Sequence, residues 1–160
     1  MGINIPALHN SSKSAAKGSG KISIPRRSDA LHAGVFTIKG AVSFDPVSDP
    51  YPTGGFRIQA NLTDSLKATF TTTSVELINS FGKHTPSIFL TGRCSVRSAE
   101  PVKRPPLGCR YWIMIVDNKK EGNEKDTPDI VSFAITDNTG NRIAYGTGPV
   151  VSFDMVVDPS

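Results

Sequence analysis

The sequence predicts an all-β fold: a single antiparallel β-sandwich of about eight strands, Ig-like or jelly-roll-like, preceded by an extended N-terminal arm. Three observations carry this expectation. Val, Ile and Thr number 38 against 7 Leu, and 14 Gly with 12 Pro supply turn formers, a balance that favours pleated strands over helices. From Gly34 onward, short alternating stretches separated by turn residues recur at the spacing of a sandwich. Residues 1–33 are instead rich in Ser, Lys, Gly and Ala with apolar residues thinly placed, the composition of a segment that cannot bury enough surface to order itself alone. The 160 residues make one domain's worth of chain, divided into an arm at 1–33 and a body at 34–160.

Each strand follows from its pattern. Residues 35–44 form the first and stop at Asp45-Pro46, because the proline ring removes a ladder donor. Pro50 and Pro52 stiffen the next loop, and Tyr51 between them is expected to be exposed. Residues 56–62 alternate strictly, placing Phe56, Ile58, Ala60 and Leu62 inward before Thr63-Asp64-Ser65 turns the chain. The stretch 67–79 is long enough to bend. Ala68, Phe70 and Thr72 share one face, Val75, Leu77 and Asn79 share one face further along, and the change of phase predicts a bulge near Thr73-Ser74.

Residues 87–97 and 109–117 make the best hairpin. Ile88, Leu90, Gly92, Cys94 and Val96 share one face, and Cys109, Tyr111, Ile113 and Ile115 share one face of the partner. Trp112, Met114 and Val116 make the second strand apolar on its reverse side too, as for a strand covered on both faces. Between the two lies a basic, proline-rich loop at 98–106. Residues 130–135 follow, then a turn at Asp137-Asn138-Thr139-Gly140-Asn141 whose residues tolerate positive φ, then strands at 142–145 and 150–157. Cys94 and Cys109 fall near the end of one strand and the start of the next, so the hairpin brings them close. A disulfide and a pair of buried reduced thiols fit the alternation equally.

The formal charge of +4 is accounted for by the arm: Lys13, Lys17, Lys21, Arg26 and Arg27 against Asp29, which leaves 13 basic and 13 acidic residues from Gly34 onward. The body is therefore expected to have no strong far field; the arm reads first as a solubilising tail, its cations spread over fifteen residues and not in a dense block, and second as a segment drawn to an anionic surface, nucleic acid among them. Within the arm, Lys21-Ile22-Ser23-Ile24 alternates and could add a strand to a neighbouring subunit, making Ile22 and Ile24 candidate contacts with the five cations. No stretch approaches the length of a membrane helix, and the first residues show neither a secretory signal nor a myristoylation pattern. The expectation is a chain made in the cytoplasm, staying there or joining a virion or exported assembly.

The order of the pieces resembles a small β-sandwich module appended to bacterial extracellular proteins. Gly55-Phe56, Phe89-Leu90-Thr91-Gly92, Tyr111-Trp112-Ile113-Met114-Ile115-Val116-Asp117-Asn118, Asp129-Ile130-Val131-Ser132-Phe133 and Gly140-Asn141-Arg142-Ile143-Ala144-Tyr145 carry the likeness, which spans roughly residues 34–157. The chain departs from that pattern at Val151-Ser152-Phe153, where the family has glycines, and in its missing secretion signal. The resemblance implies a sandwich and transfers no catalytic residue.

The residues also point away from enzyme chemistry. No Gly-x-Ser-x-Gly elbow occurs, His9 and His32 lie in the arm, and His84 reads as a surface-loop residue. Asp117, Glu121, Glu124, Asp126 and Asp129 cluster on one loop, but Lys119, Lys120 and Lys125 interleave with them. A solvated loop is the stronger reading and a Ca²⁺ site the weaker, so no cofactor is expected. Tyr51, Phe81, Tyr111, Trp112 and Tyr145 are candidate platform aromatics, with Tyr51 and Trp112 foremost, whereas Phe56, Phe70, Phe89 and Phe133 are assigned to the core. Two functions are then expected in order: a non-enzymatic structural subunit docking through its arm onto copies of itself or another component, and a glycan- or cell-wall-binding module.

Overall fold

The computed structural model describes residues 13–24, 34–62, 67–82, 85–98, 108–118, 128–150 and 155–159. They form ten strands: β1 (Ser14–Ile24), β2 (Gly34–Phe44), β3 (Thr53–Leu62), β4 (Lys67–Thr72), β5 (Leu77–Phe81), β6 (Ser87–Ser98), β7 (Cys109–Val116), β8 (Ile130–Asp137), β9 (Arg142–Pro149) and β10 (Met155–Pro159). Among the described residues there is no helix. The all-β expectation holds, but the hydrogen bonds build one continuous antiparallel sheet in place of two facing layers. Its order is β10-β1-β2-β3-β4-β6-β7-β8-β9, with β5 beside β6 where β4 ends.

That sheet curls into a half-barrel. A sheet with one apolar face must bury it, and with no helix or second layer in the described fold it does so by folding the face onto itself. Phe36 of β2 and Phe133 of β8, five places apart in the strand order, meet edge to face with ring centroids 4.9 Å apart. Ile38 of β2, Ile113 and Ile115 of β7, and Val131 and Ile135 of β8 are buried in the same core, and Phe44 is buried at the far end of β2. Ser14 of β1 and Ser80 of β5 share a buried hydroxyl–hydroxyl hydrogen bond of 2.7 Å across the same interior.

The largest correction concerns the expected arm. Residues 14–24 are a strand of the body, paired with β2 along their whole length from Ser14↔Phe44 to Ile24↔Gly34. Composition averaged over 33 residues hides what the strand period selects: Ala16 and Ile22 point inward and are buried, while Lys17, Lys21 and Ser23 point outward. Gly20 lies on the inner face, where a Cβ would sit on the Val150 side chain, so only glycine lets Val150 bridge to Ile22. Arg26 and Arg27 lie outside the described residues.

The predicted bend in 67–79 is a full break. Thr72 pairs with Cys94 and Leu77 with Thr91, so four residues of the connection oppose two of β6. Two extra residues, unlike one, leave the strand parity unchanged. Ile78 and Ser80 therefore continue the buried face of Ala68 and Phe70, while Leu77 is half-buried and Asn79 exposed on the outer face. Gly92 makes the crossing: a Cβ there would sit on the Ser74 carbonyl oxygen. That oxygen accepts a 2.8 Å hydrogen bond from the Tyr111 hydroxyl. Burial, and to a lesser degree the charge of Glu76, push the Tyr111 hydroxyl well above the ordinary tyrosine range, which keeps it a donor.

Two aspartates close the seam beside β10. One edge of β10 pairs with β1, Met155 opposite Gly18 and Pro159 opposite Ser14. On the other edge, the Met155 amide donates to Asp129 Oδ2 at 3.0 Å and the Val157 amide to Asp117 Oδ2 at 3.1 Å. Asp129 Oδ1 accepts a further bond, from the Asn118 amide at 2.9 Å. The Asp117-to-Asp129 acids expected in a solvated loop are thus corrected at both ends. These carboxylates are buried, at 4% and 1% exposure, and serve as backbone acceptors, while Glu121, Glu124 and Asp126 fall outside the described residues. Asp129→Ala is expected to cost about 3 kcal/mol, as two charge-assisted bonds are lost from a buried site. Urea unfolding measures this, and amide exchange at Met155 should accelerate with it; an unchanged exchange rate would contradict the assignment.

Candidate functional site

The strand period that fills the interior leaves alternate residues of β6 to β9 on the outer face, where several are apolar. Trp112 opposes Ala134, which opposes Tyr145, so one row across β7, β8 and β9 holds two aromatics separated by a small residue. Two strand spacings put these side chains roughly 10 Å apart, with Ala134 as the floor of a shallow trough. Phe89 of β6 stacks on Trp112 with centroids 6.4 Å apart and 28° between the planes. Met114, next along β7, is opposite both Phe89 and Ser132.

Polar groups rim these rings. The Arg142 guanidinium lies 4.8 Å from the centre of the Tyr145 ring, a cation–π contact. Glu76, in the β4–β5 connection, accepts from Arg110 at 3.0 Å and pairs with Arg93 at 3.3 Å. The Ser132 and Thr147 hydroxyls bond each other at 2.6 Å. Arg142 and Tyr145 are carried by the β8–β9 hairpin, whose turn is organised by Asp137. Its Oδ1 accepts from the Thr139 hydroxyl at 2.7 Å and from the Thr139 and Asn141 amides, each at 2.9 Å. Those bonds, the Thr139 hydroxyl foremost, hold the Asp137 carboxyl below its ordinary value of 3.8.

The candidate residues named from sequence are scattered over the molecule. Trp112 is 39% exposed and sits in the aromatic row, whereas Tyr51, 73% exposed, stands on the β2–β3 loop with β4 and β6 lying between β3 and β7. Tyr111 is buried and leaves the list of platform aromatics. Phe89, assigned to the core, is half-buried on the outer face; its place between the inward pair Ile88 and Leu90 carried that signal. Lys13 is exposed and pairs with Asp45 at 3.6 Å. The Val47 amide is the main cause that lowers the Asp45 carboxyl, with Lys13 a lesser one. Ile22 is a core residue, and Ile24 ends β1 opposite Gly34 within the body's own sheet. Cys94 and Cys109 are directly opposite in β6 and β7 and form a disulfide, Cα atoms 4.9 Å apart.

Among the described residues no group of three His, Cys, Asp or Glu is placed to hold a metal ion. No helix among them is long and apolar enough to cross a membrane. No protein-family model, curated protein or solved structure matches the chain, so its own side chains are what bears on function.

Two measurements check the frame of this face. The disulfide closes a loop of 15 residues at the end of β6 and β7, and the paired Cys94→Ser, Cys109→Ser variant is expected to lose about 3 kcal/mol in urea unfolding under non-reducing conditions. Asp137→Ala should lower the melting temperature at neutral pH. Because the folded-state value of Asp137 lies below 3.8, its contribution is complete above that pH and disappears as pH falls through the folded value. The gap between variant and wild type should therefore close in acid; a gap that widens there would refute the turn assignment.

Proposed function

We propose that the protein is a non-enzymatic binding module that recognises a β-linked glycan through the outer face of β6 to β9. The observation that carries this reading is the row Trp112, Ala134, Tyr145. Flat rings at two strand spacings, with a small residue between them, suit stacking against alternate sugars of an extended chain, whose repeat is of similar length. Arg110, Glu76, Ser132 and Thr147 supply planar and hydroxyl partners for sugar hydroxyls along the rim. The platform is built on strands cross-linked by the disulfide, so little order has to be bought on binding.

Docking through an N-terminal arm has less support, since residues 14–24 are spent on pairing within the chain. Assembly of copies through this apolar face is the competing use of the same surface.

A glycan array followed by titration calorimetry tests the reading. Trp112→Ala should weaken the best ligand roughly tenfold to a hundredfold, the worth of one stacked ring. Tyr51→Ala, distant from the row, should leave affinity unchanged. Silence across the array together with concentration-dependent self-association that Trp112→Ala abolishes would overturn the proposal in favour of a subunit interface.

A further inference from the structure

A second outer face, on β1 to β4 and β6, has a different chemistry that follows from register. One row reads Lys21, Thr37, Gln59, Thr69, Arg97 across β1, β2, β3, β4 and β6. The adjacent row reads Ser19, Lys39, Arg57, Thr71, Ser95. Every one of these positions is a cation, a hydroxyl or an amide. The five strands contain no Asp or Glu anywhere along them. Along these five strands the cations therefore stand without an acid of their own, although the body as a whole holds 13 basic and 13 acidic residues.

Two features of this face point to an anion. Lys39 and Arg57 are directly opposite neighbours on adjacent strands, both exposed, an arrangement that repels. Among the described residues neither they nor Lys21 and Arg97 take part in an ion pair. Beside the pair lies an open cleft of about 460 Å³ lined by Lys39, Arg57, Thr71 and Thr72 together with Gly54, Gly55 and Phe56. A ligand carrying negative charge would relieve the repulsion and find the hydroxyls of Ser19, Thr37 and Thr71 and the Gln59 amide beside it.

The rest of the face narrows the class of ligand. These two rows offer no aromatic ring on which bases could stack, and the apolar residues beside them on the face, Val35 and Ala41, are too small and too few to anchor in a lipid layer. Insertion into a duplex groove, which accepts a helix or a two-stranded ribbon, is closed to so broad a surface, and sheet faces that bind single strands rely on stacked aromatics that these rows lack. A hydroxyl-rich chain with repeated charges matches all the positions. We propose that this face binds a linear anionic polysaccharide, with Lys39 and Arg57 as its central contacts and Lys21 and Arg97 flanking them. This goes beyond the aromatic face and stands independently of it.

Retention of the folded protein on immobilised heparin and on immobilised polygalacturonate, at low ionic strength, is the test. Binding to either supports the proposal, and the one preferred tells whether sulfate or carboxylate is the anion. Retention should fall with added salt. Lys39→Ala with Arg57→Ala should weaken it roughly tenfold, the worth of two exposed charge contacts. Lys39→Glu turns the repelling pair into an attracting one, so its melting temperature should rise while retention is lost. Trp112→Ala should be retained like wild type, which separates failure here from failure of the aromatic face. Absence of retention on both supports, retention unaffected by the double variant, or release by duplex DNA at lower concentrations than by soluble heparin would each overturn it.

Discussion

The structure depends on how the edge of a nearly closed sheet is satisfied. A strand at an edge presents unpaired amides and carbonyls, which either recruit another chain or must be covered. Here β1 has β2 on one side, and β10 followed by the Val150 bridge on the other. The outer edge of β10 finds carboxylates in place of a further strand: Asp117 and Asp129 receive the Val157 and Met155 amides. Two buried acids, expensive to desolvate on their own, are stabilised by the donors they accept from. Seam and charge burial solve each other, and the closed interior around Phe36 and Phe133 follows.

Function on such a scaffold is left to the outside. The parity that sends Ile113, Phe133 and Ile58 inward sends Trp112, Ala134 and Arg57 outward, so each strand writes one interior and one exterior message at once. On β6 to β9 the exterior residues are aromatic or apolar with a ring of charged and hydroxyl groups. On β1 to β4, continuing onto β6, two adjacent exterior rows are cationic, hydroxyl- and amide-bearing, and the strands carry no acid. Both surfaces consist of side chains on hydrogen-bonded strands, which hold their spacing better than loops do.

Most of the fold was legible because period-2 alternation is local. The inward residues of β3, β6 and β7 and the Asp137 turn could all be read from neighbours in sequence. So could the opposition of Cys94 and Cys109, although alternation alone left their oxidation state open. The candidate site was less legible. Trp112 was a candidate platform ring, but with Met114 and Val116 its side of β7 was expected to be covered; it is 39% exposed, and its partners Ala134 and Tyr145 belong to strands whose register a single stretch does not reveal. Phe89 was misassigned by residue type, where its position between two inward residues was the better guide. Of β1 only Lys21 to Ile24 was read as a strand, and that for a neighbouring subunit, because Ala16 and Ile22 are few among serines, lysines and glycines and averaging over the segment erases their phase.

By itself, the amino-acid sequence determined that this chain is built of antiparallel strands, roughly where most of them run, and which side of each faces inward. Those properties depend on φ preferences, proline and glycine placement and side-chain period, all encoded within a few residues. Tertiary structure alone decided that one sheet curls around its own apolar face, that residues 14–24 belong to it, and that Asp117 and Asp129 bind backbone in place of solvent. It also decided which cations and which rings become neighbours. Each of these outcomes depends on the register between strands far apart in sequence, where a shift of two residues preserves every inward-facing side chain and changes every cross-strand partner.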